Sequence, residues 1–177
     1  MIIEFKTSEQ DFLDFQLFTA SQSDRIKRKM INGWIFLTLI LGIISACFYF
    51  KYNIIMAVYF GIAAIVSGLF YPMYFRWRYK KHYKTYIKEN YSNRFEKTEY
   101  IEIKDEAIFM KDSTGEATLN ISEIDKVDET EKHFFIKIKA GTYLIIPKYK
   151  IQNPDEVRDK FESLGFTVNK ITNIKWK

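Results

Sequence analysis

The sequence predicts an α+β membrane protein, in which a two-helix transmembrane hairpin precedes a cytoplasmic antiparallel β-barrel or sandwich capped by a C-terminal helix. Three observations predict this class. Residues 31–75 contain one ionisable residue of the Asp, Glu, Lys, Arg and His types, Lys51. Basic residues flank this apolar segment on both sides. Beyond residue 95 the pattern changes to short runs of β-forming residues separated by turns.

The apolar segment, 31–75, divides into two candidate transmembrane helices, 33–50 and 54–75, of 18 and 22 residues. At about 1.5 Å per residue they reach about 27 and 33 Å, which matches a hydrocarbon core of about 30 Å. Because only residues 51–53 separate them, we predict an antiparallel hairpin with a minimal turn.

Small residues on both spans predict close helix–helix packing. They are Ala57, Gly61, Ala64 and Gly68 on one face of the second span, and the pair Gly42 and Ala46 on the first. We favour packing inside the hairpin over packing between protomers. Since neither span contains an ionisable residue, the sequence argues against transport or conduction by this chain alone.

Basic residues beside the hairpin predict its orientation. Residues 25–29 and 76–84 are rich in Lys and Arg, whereas the turn carries Lys51 alone. Short basic loops stay in the cytoplasm, so a multi-pass protein with both termini in the cytoplasm is predicted. Five acidic residues within residues 1–24 argue against a signal peptide.

The stretch YFRWRYKKHYK, residues 74–84, alternates aromatic and basic side chains as many nucleic-acid-binding surfaces do. The net charge is −4 over residues 1–24, +10 over 25–92 and −1 over 93–177. The positive charge thus lies beside the predicted spans, and we predict contact with the lipid bilayer and none with nucleic acid. The predicted contact residues, called the basic collar, are Arg25, Lys27, Arg28, Lys29, Arg76, Trp77, Arg78, Tyr79, Lys80, Lys81 and Lys84.

A basic juxtamembrane helix is predicted over 76–92, and residues 93–177 are predicted to form a cytoplasmic domain. Its strands are predicted over 97–104, 107–111, 116–121, 126–130, 133–139 and 142–148. In the fifth, Phe134 and Ile136 are predicted to face the core and Phe135 to face water.

A helix is predicted to close the domain. Asn153 is a favourable N-cap, Glu156 completes an arrangement like a capping box, and Gly165 ends the helix. The predicted apolar stripe consists of Val157, Phe161 and Leu164.

The cytoplasmic N-terminal segment, 1–30, is predicted to contain a strand over 2–6 and a helix over 9–20 that Ser8 caps. We predict that this strand joins the sheet of the C-terminal domain.

Three segments together carry a family resemblance: IIEFKTSEQDFLDFQLF (2–18), the short two-span hairpin, and 107–164 with its pieces ISEIDKVDET and YLIIPKYKI. Their order resembles the YcxB-like bacterial membrane proteins. The resemblance implies a location in the bacterial cell membrane and a C-terminal domain like the pleckstrin-homology (PH) type. It implies no catalytic residues, and a PH-like fold does not imply phosphoinositide binding.

The residues themselves predict no catalytic, cofactor-binding or metal-binding site. His82 and His133 lie far apart and outside metal-ligand spacings, and Cys47 lies within the first span. The densest polar cluster is predicted to be a solvated strand end and turn rather than a cation site. Its members are Asp125, Asp128, Glu129, Glu131 and His133. We therefore expect no cofactor and no enzymatic activity.

Three functional classes follow. The first is a membrane-anchored interaction or scaffold module that binds a protein partner or associates with itself. The second is a sensor of anionic lipid or of the state of the membrane surface, which acts through the basic collar. The third is an accessory subunit of a membrane enzyme or transporter. We favour the first, because the sequence indicates an anchor and a nearly neutral domain.

Overall fold

The computed structural model describes residues 1–113 and 115–172, which form four α-helices and eight β-strands. The helices are α1 (Glu9–Gln22), α2 (Asp24–Phe50), α3 (Ile54–Tyr91) and α4 (Pro154–Ser163). The strands are β1 (Ile2–Lys6), β2 (Thr98–Ile103), β3 (Ala107–Asp112), β4 (Gly115–Asn120), β5 (Ile124–Glu129), β6 (His133–Ile138), β7 (Tyr143–Pro147) and β8 (Val168–Lys170). Residues 173–177 of the predicted C-terminal domain lie outside the described residues.

The chain forms two compact units. Of the described residues, one unit, the sheet unit, holds Met1–Phe18 and 84–172, and the other, the helical unit, holds Thr19–Tyr83. The chain therefore leaves the sheet unit within α1 and returns to it within α3. The helical unit is thus an insertion between β1 and β2.

The sheet unit contains two four-stranded sheets, ordered β1-β2-β3-β4 and β7-β6-β5-β8. β1 pairs antiparallel with β2, with Ile2 opposite Glu102 and Lys6 opposite Thr98. This pairing confirms the prediction that the N-terminal strand joins the sheet. A 3-10 turn at Ile121–Glu123 separates β4 from β5, and these strands belong to different sheets. The described strands therefore form two sheets instead of one closed barrel.

Both sheets and α4 contribute to one hydrophobic core, because alternate residues of each strand point inward. The first sheet supplies Ile3, Phe5, Ile101, Ile103 and Ile108; the second supplies Ile124, Val127, Phe134, Ile136 and Ile146; and α4 supplies Val157 and Phe161. Leu164 packs against this core, so the predicted stripe of α4 is confirmed.

The outer face of β6 corrects one prediction. Phe135, predicted to face water, is 1% exposed. The reason is that α1 covers this face: the ring centroids of Phe15 and Phe18 lie 5.6 and 4.6 Å from that of Phe135. The sequence pattern of β6 resembles a strand with one wet face because the covering helix comes from the distant N-terminus.

The end of the chain agrees with the prediction at α4 and differs from it beyond that helix. Asn153 occupies the N-cap position of α4 as predicted, although its side chain makes no capping hydrogen bond to the backbone and instead donates to Oε1 of Glu156 at 2.7 Å. α4 ends before Gly165, whose φ of +87° suits glycine. The chain then returns to pair β8 with β5 in parallel, with Val168 opposite Val127, a strand that the sequence did not predict.

The helical unit contains the two apolar helices. Among the described residues, α2 and α3 are long and apolar enough to cross a membrane, which supports association with a membrane. The turn between them is tight, with Tyr52 at a φ of 58° and the Asn53 amide donating to the Phe48 carbonyl at 3.0 Å. α3 continues without a break through the predicted basic helix and ends at the 3-10 turn Ser92–Arg94.

Candidate interaction surface

The basic collar lies on the first turns of α2 and on the C-terminal half of α3. Its Lys and Arg residues are exposed except for Lys80, which is half-buried. Tyr79 is also half-buried. Nζ of Lys81 lies 5.6 Å from the ring centroid of Trp77, one helical turn away, in a cation–π contact. Exposed cations beside an exposed indole are suited to contact anionic headgroups.

The small residues of α3 lie against α2. Oγ of Ser45 donates to the carbonyl of the buried Ala57 at 2.7 Å, and a Cβ placed at Gly61 would lie 3.3 Å from the same Oγ. Nε1 of Trp34 donates to the Gly68 carbonyl at 2.8 Å. Half-buried Ala64 lies on the same helix face. These contacts let the two backbones approach closely and satisfy polar groups between apolar helices.

The other pair, Gly42 and Ala46, is exposed, and a Cβ at Gly42 would have no described atom within 4 Å. The prediction that this pair packs inside the hairpin is therefore wrong. On α2 it is Ser45 that faces α3, whereas Gly42 and Ala46 lie on an exposed face of the helix.

A buried carboxylate, Asp11, joins α1 to the second sheet. Oδ1 of Asp11 lies 2.7 Å from Nε2 of His133 and accepts from the hydroxyl of Tyr149 at 2.6 Å. Oδ2 accepts from both the amide and the hydroxyl of Ser8 at 2.7 Å, and from Nζ of Lys150 at 3.2 Å. The amide of Asp11 in turn donates to Oγ of Ser8 at 3.4 Å, so Ser8 caps α1 as predicted, and both carboxylate oxygens are satisfied.

The electrostatics of this network follow from burial and hydrogen bonding. Burial raises the pKa of Asp11, but the hydrogen bonds from His133, Tyr149 and Ser8 lower it more, so it lies well below its usual range. Burial, followed by the hydrogen bond to Asp11, raises the pKa of Tyr149 to about 12. The carboxylate therefore stays ionised and the phenol stays protonated near neutral pH.

This network does not have the geometry of a hydrolytic triad. In such a triad a Ser hydroxyl donates to a His, which an Asp orients. Here Ser8 and His133 both contact the carboxylate of Asp11, and His133 is 2% exposed. The arrangement can hold α1 on the sheet, and it offers no accessible nucleophile paired with a base.

The predicted polar cluster around β5 does not converge on one point. Exposed Asp125 contacts Lys137 at 2.6 Å, whereas Asp128, Glu129 and His133 are buried. The prediction of a solvated strand end is therefore wrong for these three residues, because α1, α4 and β8 supply partners that lie far away in sequence. Glu131, at the following turn, is exposed. Among the described residues, no group of three or more His, Cys, Asp or Glu side chains is placed to hold a metal ion.

Buried Asp128 makes one ion pair and one hydrogen bond. Nζ of Lys126 lies 2.6 Å from Oδ2 of Asp128, but out of line for a directed hydrogen bond, so the contact is electrostatic. Nδ2 of Asn169 donates to the other oxygen at 3.3 Å. This second contact joins β8 to β5.

Glu129 joins α4 to the second sheet. Nε and Nη2 of Arg158 donate to its two oxygens at 2.7 and 2.6 Å, and Lys148 contacts it as well. The hydrogen bond from Arg158 is the main cause that lowers the pKa of Glu129 to about 2, against the effect of burial and with help from Lys148. A bidentate Arg–carboxylate pair of this kind fixes the orientation of both side chains.

A groove of about 430 Å³ opens in the sheet unit where the two sheets separate. Ile101 and Met110 of the first sheet and Leu144 of the second form part of its apolar lining. Gly115, Glu116 and Ala117 of β4, and Tyr143, Leu144 and Ile145 of β7, also line it. The groove therefore lies between edge strands of the two sheets.

The charged residues in the groove are mostly paired with one another. Arg94 contacts Asp112 at 2.9 Å and Lys111 contacts Glu116 at 2.5 Å. Glu99, the remaining charged residue of the lining, accepts a hydrogen bond from Thr7, and burial raises the pKa of Glu99. The groove thus combines an apolar lining with a nearly balanced set of charges, which suits a polypeptide better than a strongly charged small ligand.

The edge strand β4 is open along its length. Within the described residues it pairs with β3 alone, and five of its six residues are exposed. The β3–β4 hairpin places Asp112 opposite Gly115, and the Ile121 amide donates to the Glu106 carbonyl at 2.9 Å. Because hydrogen-bonded pairs alternate along an antiparallel ladder, the backbone groups of Glu116, Thr118 and Asn120 point away from β3.

The sequence of β4, GEATLN, carries one charged residue, Glu116, and lacks the features that most strongly protect an edge strand. Natural edge strands are commonly blocked by Lys, Pro or a bulge. β4 contains neither Lys nor Pro, and its register with β3 is regular. Such a strand is suited to pair with a further strand.

The side-chain pairs that organise the sheet unit were not predicted from the sequence, although Glu129 and His133 were noted as members of a polar cluster. Asp11 and His133 are separated by 122 residues, and Glu129 and Arg158 by 29. Neither pair has a spacing that a motif would specify. The one available signal was the presence of Asp11 on the apolar side of α1, which a helical projection reveals.

The architecture defines an α+β protein whose two-sheet unit is interrupted by a pair of long apolar helices. Residues 103–161, from the end of β2 into α4, match the family model described as YcxB-like protein, so this segment of the chain is similar to that family. The predicted resemblance is confirmed over that segment. Searches of curated proteins and of solved structures found no match.

Proposed function

We propose that this protein is a membrane-anchored interaction module, with the helical unit as its anchor and the sheet unit as its binding domain. The open edge of β4 beside the groove carries this proposal. A strand edge with exposed backbone donors and acceptors is a binding surface for protein backbone, and it needs no catalytic group.

In this proposal α2 and α3 cross the bacterial cell membrane as a hairpin, with both termini in the cytoplasm. The apolar helices support the crossing, and the exposed cations of the basic collar support the orientation, since basic flanks stay on the cytoplasmic side. The sheet unit then lies in the cytoplasm, where protein partners are available.

The order of elements in the sheet unit supports a PH-like fold. A four-stranded sheet is followed by a second sheet built on the consecutive strands β5, β6 and β7, and a C-terminal helix packs into their shared core. In this proposal β1 is the first strand of that fold, separated from the rest by the inserted hairpin. A fold of this kind supplies a rigid frame for an interaction surface and does not by itself specify a ligand.

Affinity purification of the full chain in mild detergent, with Thr118→Pro compared against Thr118→Val, tests the proposal. The amide of residue 118 points away from β3, so proline removes an outward donor while the β3–β4 ladder is kept. The bait carries a tag, and an untagged copy of the chain is produced with it so that a second copy also counts as a co-purifying protein. We expect the proteins that co-purify with the wild type to be retained by Thr118→Val and reduced at least tenfold by Thr118→Pro. An unchanged set of co-purifying proteins would contradict the proposal.

A second function is supported by the basic collar. In this alternative its cations and Trp77 read anionic lipid, and the sheet unit reports the occupancy. The exposed cation–π pair of Lys81 and Trp77 favours it. Vesicles that contain the full chain, with and without anionic lipid, distinguish the two functions. Lipid sensing predicts a change in the mobility of the sheet unit that depends on lipid and is screened by salt; the interaction module predicts none.

A further inference from the structure

We propose that the occupant of the β4 edge is the β4 strand of a second copy of this chain, paired antiparallel about a two-fold axis through Thr118. This inference rests on the proposed function and names the partner. It would join the two first sheets across the axis into one continuous sheet.

The sequence of β4 is complementary to itself in this register. Thr118 lies opposite Thr118 of the second copy, and Glu116 lies opposite Asn120. Each of these pairs joins residues whose backbone groups point away from β3, so every outward donor and acceptor of the strand finds a partner. On the inner side, Ala117 lies opposite Leu119, which packs against the core in each copy.

Other two-fold registers of the same strand are poorer. An axis through Glu116 would place two carboxylates directly opposite each other, and like charges in that position are destabilising. Axes at Ala117 or Leu119 leave outward groups of one end of the strand without partners. The register through Thr118 avoids the charge conflict and places two Thr side chains in a favourable cross-strand pair.

The proposed anchoring favours a second copy over a different chain. Two copies held in one membrane with the same orientation meet at a high effective concentration, which converts weak strand pairing into a stable contact. A two-fold interface is also the commonest way in which identical chains associate.

Disulfide cross-linking of the full chain in membranes tests the inference. Cys47 is the one cysteine of the sequence, so Cys47→Ser gives a background without thiols. In that background we expect Thr118→Cys to form a covalent dimer on mild oxidation, because the Cα atoms of a hydrogen-bonded antiparallel pair lie about 5.5 Å apart, within the usual range for a disulfide. The matched control is Thr98→Cys, at an exposed position of β2. Because β2 lies between β1 and β3 and is not an edge strand, this variant should form no dimer.

The register gives a second, independent readout. Glu116→Cys and Asn120→Cys should each remain monomeric alone and form a mixed dimer when the two variants are produced together.

Absence of the Thr118→Cys dimer, or a dimer no more abundant than that of Thr98→Cys, would overturn the inference. If Thr118→Pro still removes co-purifying proteins in that case, the edge binds another chain and only the second-copy partner is wrong. If Thr118→Pro also has no effect on co-purifying proteins, the proposed function fails with it.

Discussion

Nε2 of His133 lies 2.7 Å from Oδ1 of Asp11, although 122 residues separate them in the chain. The contact fixes α1, which leads into the helical unit, on the outer face of the second sheet. It thereby connects the part of the sheet unit that precedes the inserted helical unit with the part that follows it. The N-terminal segment is an integral part of this unit, since it also supplies β1 to the first sheet.

The first prediction is that Asp11→Asn destabilises the sheet unit. The amide cannot accept all of the hydrogen bonds that the carboxylate accepts, and its NH₂ group would face the donors of Ser8. We expect the free energy of unfolding to fall by about 3 kcal/mol, the usual cost of breaking a buried charged network. Near-UV circular dichroism of the full chain in micelles during denaturation measures it.

The matched control for Asp11→Asn is Asp14→Asn. Asp14 lies on the same helix and accepts a hydrogen bond from Gln10 in an exposed position. Its replacement should change the free energy of unfolding by less than about 0.5 kcal/mol. Equal effects of the two substitutions would show that the network of Asp11 does not stabilise the unit.

Acid is predicted to weaken the sheet unit through Glu129. Its pKa is about 2 in the folded state against an ordinary 4.5, so the unfolded state binds the proton more tightly. The contribution of Glu129 to stability is therefore full above about pH 5 and is lost as the pH falls toward 2. Unfolding measured between these limits should depend less on pH in Glu129→Gln than in the wild type.

The control for the pH dependence is Glu162→Gln, at an exposed position on α4. Its stability should follow the wild-type curve. A Glu129→Gln variant whose stability between pH 5 and 2 parallels that of the wild type would show that the Glu129–Arg158 pair does not cause the loss of stability in acid.

Two glycines of the helical unit are predicted to respond differently to valine. A Cβ at Gly61 meets Oγ of Ser45, whereas a Cβ at Gly42 meets no described atom within 4 Å. Gly61→Val should therefore separate the helices and lower the stability of the pair by about 1 kcal/mol or more, while Gly42→Val should leave it unchanged. Unfolding of the full chain by SDS in mixed micelles compares the two, and equal effects would contradict the hairpin contact described above.

The basic collar is predicted to set the orientation of the hairpin. Replacing Arg76, Arg78, Lys80 and Lys81 by Gln should produce a mixture of orientations, because Lys and Arg near the ends of a span hold them in the cytoplasm. Protease accessibility of the sheet unit in sealed vesicles measures the fraction in each orientation.

A charge-matched variant of the sheet unit serves as the control for the collar. In this variant, Gln replaces four of the exposed Lys residues of the sheet unit: Lys97, Lys104, Lys132 and Lys139. This variant should keep a single orientation. A collar variant that also keeps it would show that other features determine the topology.

The sequence predicted the local structure well because local patterns determine it. The alternation of apolar residues located β1 to β7 to within about two residues, and the stripe of Val157, Phe161 and Leu164 identified the inner face of α4. Two apolar runs separated by three residues specified the hairpin. Each of these signals lies within a window of a few turns or strands.

The sequence predicted the contacts between distant segments poorly. Phe135 was expected in water because nothing near it in the chain shows that α1 covers it. β8 was missed because three residues, two of them polar, give no strand pattern without knowledge of β5 beside them. The ion pairs of Asp11 and Glu129 depend on the same long-range packing, so polar residues that look solvated in the sequence are buried in the fold.

Hydrogen–deuterium exchange of β4 tests the central claim most directly. The amides of Glu116, Thr118 and Asn120 point away from β3, and they should exchange rapidly in dilute micelles of the monomeric chain. In native membranes, where the partner is present, we predict that exchange in the segment Gly115–Asn120 slows by at least tenfold, and that Thr118→Pro abolishes this protection. Equal exchange in micelles and membranes would contradict the account of β4 as an interaction edge.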